Sequence, residues 1–369
     1  MENVEVDLGE RSYEIKIGTG LLANLDQYLV EAGIKTGTKL LVITDKRVKQ
    51  LYGEDIEFSL TQSNFEFRLT AVPEGEGSKS LEMAQKLYDE AVDFGLERNS
   101  VIVAFGGGVV GDLAGFIAAT YMRGISLVQV PTTLLAQVDS SVGGKVAVNH
   151  NAGKNLIGAF YQPETVIIDL EVLTTLDERD IKSGLAEIIK YGVIWDQDFF
   201  EYLKTNSEAI KNLDFEILTK IIQRSCQIKA EVVAKDEKEE GLRVILNYGH
   251  TIGHAVEALA GYGEYRHGEA VAIGMVSAVK LAHKLEMVTE NEVQKQIELI
   301  SSLDLPITFN SLELDDIIAK TKQDKKVQDG RVRYILPNRI GEVEVVSGIS
   351  EKLIIEVLKE QCQEGLGCT

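Results

Sequence analysis

The chain has 369 residues, 44% of them hydrophobic and 26% charged, and a formal net charge of −20. Its length exceeds what one hydrophobic core fills and predicts two domains, and its composition is that of an ordinary soluble globular protein. The negative charge argues against nucleic acid or an anionic membrane as a partner, so an anionic substrate must be captured by a local basic pocket.

Apolar runs are broken by Gly or charge well short of a membrane span. The acidic start MENVEVDLGERSYEI lacks the apolar core of a signal peptide. Cys226, Cys362 and Cys368 are too few and too unevenly placed for a disulfide framework, which predicts a reduced, cytoplasmic protein.

The first half alternates strand and helix signals. Leu40–Thr44, Glu66–Val72, Val101–Phe105 and Ser126–Val130 are β-rich runs, and Val166–Leu170 adds another. Between the second and third runs, Leu81, Ala84, Leu87, Tyr88 and Ala91 recur at helical spacing over 80–94, with Ser80 as N-cap. Such alternation predicts a mostly parallel, Rossmann-like sheet covered by helices. Asp45 ends the first of these strands. It could receive ribose hydroxyls, as acidic strand-end residues do in dinucleotide sites, or serve as a turn former or N-cap.

After Val101–Phe105 comes Gly106-Gly107-Gly108-Val109-Val110-Gly111-Asp112 and then a helical run. Glycines there let backbone approach a ligand, and a helix N-terminus offers N–H groups to phosphate. The pattern is neither GxGxxG nor GK[ST]. A tight turn needing positive φ would explain the same glycines. The stretch from Pro131 through Asp139, Gly143-Gly144-Lys145 and Lys154-Asn155 to Phe160 is rich in small residues and hydroxyls. It reads as a loop, either at the surface with solvated lysines or crossing a cleft with Lys145 and Lys154 turned toward an anion.

From about Leu173 helical patterns dominate: 184–194, 198–212, 215–236, 250–260, 268–286, 289–302, 313–322 and a last one from about Ser350. Arg331–Leu336 and Glu342–Val346 read as a hairpin. The predicted architecture is an α/β domain over 1–172 and a mostly α-helical domain over 173–369, with the active site in the cleft between them.

Three of the five histidines, His250, His254 and His267, fall within eighteen positions. His250 and His254 share a helix face, and Gly249 and Gly253 are read as keeping that face open. Spacing alone makes His250 and His254 the metal-ligand pair. Glu187, Glu257 and Glu269 are candidates for the carboxylate usual at catalytic zinc. A helix with two capped or core histidines is the competing reading, and His267-Gly268 shifts the balance toward a site.

Taken together, GGGVVGDLAGFIAATYMRG, VPTTLLAQVDSSVGGKVAVN, GKNLIGAFYQP, GLAEIIKYG, LNYGHTIGHAVE and HGEAVAIGM, in this order, resemble the 3-dehydroquinate synthases across nearly the whole chain. The resemblance implies NAD in the N-terminal domain and a divalent metal, zinc or cobalt, held by Glu187, His250 and His267. His254 is then no ligand but handles protons near the substrate phosphate. Lys145, Asn155, Lys190, Lys229, Arg243, Asn247 and a lysine of Asp324-Lys325-Lys326, with Lys326 favoured, would hold phosphate, carboxylate and hydroxyls, and Asp139 would touch substrate. Arg123 would reach the phosphate site of a neighbouring subunit, implying a homodimer. NAD would meet Asp45, Glu76, Lys79, Gly107, Gly108, Asp112, Thr132 and Thr133, with Lys145 and Lys154 nearby. One departure is Asp177 where the family commonly has Pro, which should loosen the turn between domains.

The chemistry implied is the conversion of 3-deoxy-D-arabino-heptulosonate 7-phosphate to 3-dehydroquinate, the second step of the shikimate pathway. NAD takes hydride from C5, phosphate leaves by β-elimination, the hydride returns, and the ring opens and closes as an intramolecular aldol. The resemblance also implies a stand-alone enzyme. Another sugar-phosphate cyclase, making an inosose or a valiolone, is the nearest alternative. A metal-dependent polyol dehydrogenase would need fewer cations, and a non-catalytic binding protein would not keep an intact ligand set.

Overall fold

The computed structural model describes residues 1–261, 263–310, 312–323, 327–328 and 331–362. The chain divides into two compact units, Met1–Leu176 with Ile222–Lys238, and Asp177–Ile221 with Glu239–Thr369.

The first unit runs β1 Glu2–Val6, β2 Tyr13–Gly18, α1 Leu25–Glu31, β3 Lys39–Asp45, α2 Lys46–Gln62, β4 Glu66–Val72, α3 Leu81–Asp93, β5 Val101–Gly106, α4 Gly108–Thr120, β6 Ser126–Pro131, β7 Lys145–His150, β8 Gly153–Phe160 and β9 Thr165–Asp169. Seven strands form one sheet in the order β1-β2-β9-β6-β5-β3-β4. Only the β1–β2 pair is antiparallel. β5 is buried at every position between β3 and β6, as expected of a parallel strand covered on both faces. This bears out the mostly parallel sheet. Ser80 caps α3 by accepting from Met83 N at 3.2 Å.

One expectation for this unit fails. The stretch from Lys145 to Phe160 is not a loop but an antiparallel hairpin, β7 with β8. Val146 and Val148 alternate inward, and Val146 sits against Gly115 of α4, where no side chain would fit. β8 is largely exposed, which hides the strand signal. The strands β1 and β2 also go unannounced by any apolar run, because the outer edge strand β1 buries only Val4 and Val6.

The second unit contains α5 Glu178–Trp195, α6 Gln197–Thr205, α7 Ser207–Lys211, α8 Phe215–Lys235 (its residues from Ile222 onward belong to the first unit), α9 His250–Ala260, α10 His267–Lys284, α11 Glu290–Ser302, α12 Leu314–Gln323, β10 Val327–Gln328, β11 Arg331–Arg339, β12 Glu342–Ser347 and α13 Glu351–Gln361. The helix expected over 198–212 is split at Asn206, which leaves the helical region with φ −106° and ψ 14°. Asp177, the departure from the family's Pro, caps α5 by accepting from Arg179 N at 3.0 Å. α10 is buried on almost every face.

The glycines of α9 do not leave its surface open. A Cβ on Gly253 would stand 2.7 Å from Ala270 O, and one on Gly249 would meet Met275 Cγ at 2.6 Å. They bring α9 into close contact with α10. Cys226 is free and buried.

Candidate functional site

Three helices of the second unit supply the histidine–carboxylate cluster. Glu187 and Lys190 lie one turn apart on α5, His250 and His254 one turn apart on α9, and His267 opens α10. Gly268 holds α10 against α5: its N–H donates to Ser183 Oγ at 3.0 Å, and a side chain there would collide with Ser183 backbone. The Arg179 guanidinium forks onto Glu269 at 2.8 and 2.6 Å, while Glu269 accepts from Arg266 N at 2.8 Å. Glu269, one of the three carboxylates considered as a ligand, is therefore a helix cap and ion-pair partner.

The three rings have centroids 5.2 to 5.7 Å apart, and each offers a ligand atom within 4.8 Å of the others. Glu187 is 1% exposed. Its Oε2 accepts from Lys190 Nζ. Its Oε1 has no hydrogen-bond partner and lies 3.4 Å from His250 Nε2 and 3.6 Å from His267 Nε2. Two donors held about 2.0–2.2 Å from one ion at a tetrahedral angle stand about 3.4 Å apart.

Protonation follows from neighbours. His250 Nδ1 sits 3.0 Å from Tyr248 O, and a carbonyl only accepts, so Nδ1 carries the proton. Burial pushes His250 down to about 4 against the pull of Glu187, leaving Nε2 a bare lone pair at neutral pH. Burial also opposes the charge on Glu187, but the Lys190 ammonium leads the groups that outweigh it and hold the carboxyl well below its ordinary value. The Nε2 lone pair and the Glu187 Oε1 atom thus face each other as two donors, a pairing that a cation would satisfy. On His267, burial opposes charge, but Glu187 and Glu257 outweigh it and raise the ring to about 9. Glu257 Oε2 lies 3.1 Å from His267 Nδ1, on the ring edge away from Glu187.

Nearby in this unit, Arg243 is 1% exposed. Asn247 Nδ2 donates to Glu239 Oε1 at 3.1 Å and to Val244 O at 3.2 Å. Sequence reasoning missed Glu239, which hides in the charged run from Lys235 to Glu240. Lys325 and Lys326 lie outside the described residues.

The first unit gathers most of the expected NAD residues around its glycine turn. None of Gly106, Gly107, Gly108 and Gly111 has positive φ, so the tight-turn explanation fails. Close approach replaces it: a Cβ would meet Thr133 Cγ2 at 3.0 Å on Gly107 and Ser140 Oγ at 3.0 Å on Gly108. Thr132 N donates to Gly106 O at 3.0 Å, and Thr133 Oγ1 accepts from Ala136 N at 3.1 Å. Lys79 pairs with Asp112. Burial raises the Asp112 carboxyl, and Lys79 opposes that only in part. Glu76 accepts from Asn149 at 2.6 Å, and Asn149 Oδ1 accepts from Asn155 N at 2.9 Å, so the hairpin is tied to the Glu76–Lys79 turn. Asp45 caps α2, accepting from Val48 N at 2.9 Å, which is the turn-former alternative.

Asp139 accepts from Lys229 Nζ at 2.7 Å. Lys145 and Lys154 are exposed on the hairpin. Arg123 is exposed beside Met122, both in left-handed conformation at φ 73° and 49°.

Families described as 3-dehydroquinate synthase N-terminal and 3-dehydroquinate synthase C-terminal match residues 69–183 and 184–327. A 3-dehydroquinate synthase of Desulforamulus reducens is 50% identical over 98% of this chain and 100% of its own. Among solved structures, the 2-epi-5-epi-valiolone synthase of Streptomyces hygroscopicus, with NAD+ and Zn2+ bound, is 30% identical with a TM-score of 0.88, covering 96% of this chain and 98% of its own. A 2-deoxy-scyllo-inosose synthase complexed with carbaglucose-6-phosphate, NAD+ and Co2+ is 27% identical with a TM-score of 0.88, covering 98% of this chain and 100% of its own.

Proposed function

The chain belongs to the 3-dehydroquinate synthase family, and from that premise we propose how its residues divide the work. The enzyme is a phosphate-eliminating carbon–oxygen lyase of the shikimate pathway, converting 3-deoxy-D-arabino-heptulosonate 7-phosphate to 3-dehydroquinate and phosphate. NAD, when bound, would supply reversible hydride acceptance at C5, so that β-elimination, ring opening and the intramolecular aldol proceed with no net oxidation. A divalent ion, zinc or cobalt, when bound, supplies Lewis acidity at the C5 oxygen.

The observation that carries the residue assignment is the orphaned Oε1 of buried Glu187, set 3.4 and 3.6 Å from two histidine Nε2 atoms. We assign the metal to Glu187, His250 and His267, and proton handling to His254. Lys145, Lys190, Lys229, Arg243, Asn247, Asn155 and Lys326 hold the substrate's anionic and hydroxyl groups, with Asp139 keeping Lys229 in place. Cations so placed stabilise the charge that develops on departing phosphate and offset locally the chain's overall charge of −20.

We assign NAD to Asp45, Glu76, Lys79, Gly107, Gly108, Asp112, Thr132, Thr133, Lys145 and Lys154, in a domain spanning 1–172. The domain spanning 173–369, apart from the Ile222–Lys238 segment that groups with the first unit and carries Lys229, holds the metal and the contacts of Lys190, Arg243, Asn247 and Lys326. Asp45 and Asp112 have internal partners and would exchange or share them on binding. We assign Arg123 to the phosphate site of a second subunit in a homodimer. Among the described residues no helix is long and apolar enough to cross a membrane, and we place the enzyme in the cytoplasm. Incubating the zinc-loaded protein with the heptulosonate phosphate and NAD tests the reading: phosphate and dehydroquinate should appear one to one. One NADH accumulating per product would overturn it in favour of a dehydrogenase.

A further inference from the structure

We propose that Glu257 is a positioning residue of the metal site, fixing the ring of His267 so that its Nε2 faces Glu187. The proposal rests on the assignment of Glu187, His250 and His267 as ligands.

His250, His254 and Glu257 fall at i, i+4 and i+7 on α9 and share one stripe of that helix. Close packing of α9 on α10 through Gly253 sets that stripe against the start of α10, where His267 stands. Glu257 Oε2 meets His267 Nδ1 at 3.1 Å, while Glu187 Oε1 lies 3.6 Å from His267 Nε2. The two ring nitrogens diverge, so a carboxylate on Nδ1 cannot share an ion with Nε2. Glu257 therefore stands behind a ligand, although its spacing from the histidines suggests a ligand.

The two histidines differ in what holds them. His250 is anchored by a backbone carbonyl, Tyr248 O, and its side chain is 11% exposed. The His267 side chain is 32% exposed and sits in the first turn of its helix. A ring in that position keeps one rotamer only if something outside its own backbone holds it, and the Glu257 carboxylate does so. Groups that orient a ligating histidine through its second nitrogen typically contribute 10–100-fold in metal affinity.

The test is zinc binding by the metal-free protein, measured by competition with a chromophoric chelator. Glu257→Ala should bind zinc about 10–100-fold more weakly. Glu257→Gln should stay within a few-fold of the parent, because the amide oxygen still accepts from Nδ1. Glu187→Ala, which removes a ligand, is the reference and should lose binding altogether. If Glu187→Ala binds normally, the ligand assignment fails and the role of Glu257 falls with it. If Glu187→Ala fails to bind while Glu257→Ala binds like the parent, the ligand assignment stands and this proposal is overturned. A merely structural role would lower the melting temperature of metal-free Glu257→Ala and leave its zinc affinity unchanged. Glu257→Gln as defective as Glu257→Ala would also overturn the proposal, because the hydrogen bond would then not be what matters.

Discussion

Glu187 Oε1 and His250 Nε2 lie 3.4 Å apart, a carboxylate oxygen against a ring nitrogen whose proton sits on the other side. The contact is unfavourable unless a cation joins the two atoms, so deleting either should cost the cation. Glu187→Ala, His250→Ala and His267→Ala should each purify without stoichiometric zinc by elemental analysis. His254→Ala should retain zinc and lose turnover by about 10²–10⁴-fold, as for a lost general acid or base. Zinc lost from His254→Ala but kept in His267→Ala would exchange their roles.

Zinc affinity should rise with pH. With no metal, His267 is held protonated up to about 9 between Glu187 and Glu257, and a metal ion must displace the Nε2 proton. Apparent affinity should therefore gain about tenfold per pH unit below about 9 and level off above it. The stability linkage has the opposite sense. The folded value is raised above the ordinary 6.5, so the metal-free fold has this contribution in full below pH 6.5 and loses it as pH rises through about 9. Chelator competition at a series of pH values checks the first statement, and a flat profile between pH 6 and 8 would contradict it.

Gly253→Ala should damage the site without touching a ligand. The added methyl would stand 2.7 Å from Ala270 O and 3.1 Å from Val271 Cα, and backbone cannot step aside as a flexible side chain can. Overpacking of this kind costs about 1–3 kcal/mol, and parting α9 from α10 separates His250 from His267. Both the urea midpoint and the zinc affinity should fall. A drop in stability with unchanged affinity would show that the helices yield elsewhere.

What the sequence could reveal here depends on how local each signal is. Buried parallel strands such as Val101–Gly106 announce themselves because every side chain is apolar. The histidine cluster is equally plain, being local in the chain. Spacing alone nevertheless pairs His250 with His254 and leaves the carboxylate open among Glu187, Glu257 and Glu269, because their division of labour is set by packing between helices. Glu187 is sixty-odd residues away on α5, and only its motif points to it. The different fates of Glu257 and Glu269, one behind His267 and the other capping α10 against Arg179, arise from tertiary contacts that no spacing encodes. The hairpin of Lys145–Phe160 escapes for another reason: Val146 and Val148 alone carry its inward face, too short a pattern beside so many exposed small residues.

Lys79→Met should destabilise the first unit through Asp112. Lys79 and Asp112 form an ion pair whose side chains are 6% and 17% exposed. Burial already raises the Asp112 carboxyl, and Glu76 and Asp139 add repulsion, so Lys79 is the charge that keeps Asp112 ionised. Removing it leaves a buried carboxyl that must either stay charged without a partner or take up a proton. Breaking such a pair from one side costs about 3 kcal/mol or more, and the urea midpoint of the NAD-free protein should fall accordingly. The double variant Lys79→Met with Asp112→Leu removes both charges together and should recover much of that loss, since a buried pair replaced by apolar groups is often near neutral. If both residues hold NAD as assigned, the double variant will be folded and still bind NAD weakly by calorimetric titration. Parent-like NAD affinity in that folded double variant would remove both from the cofactor site.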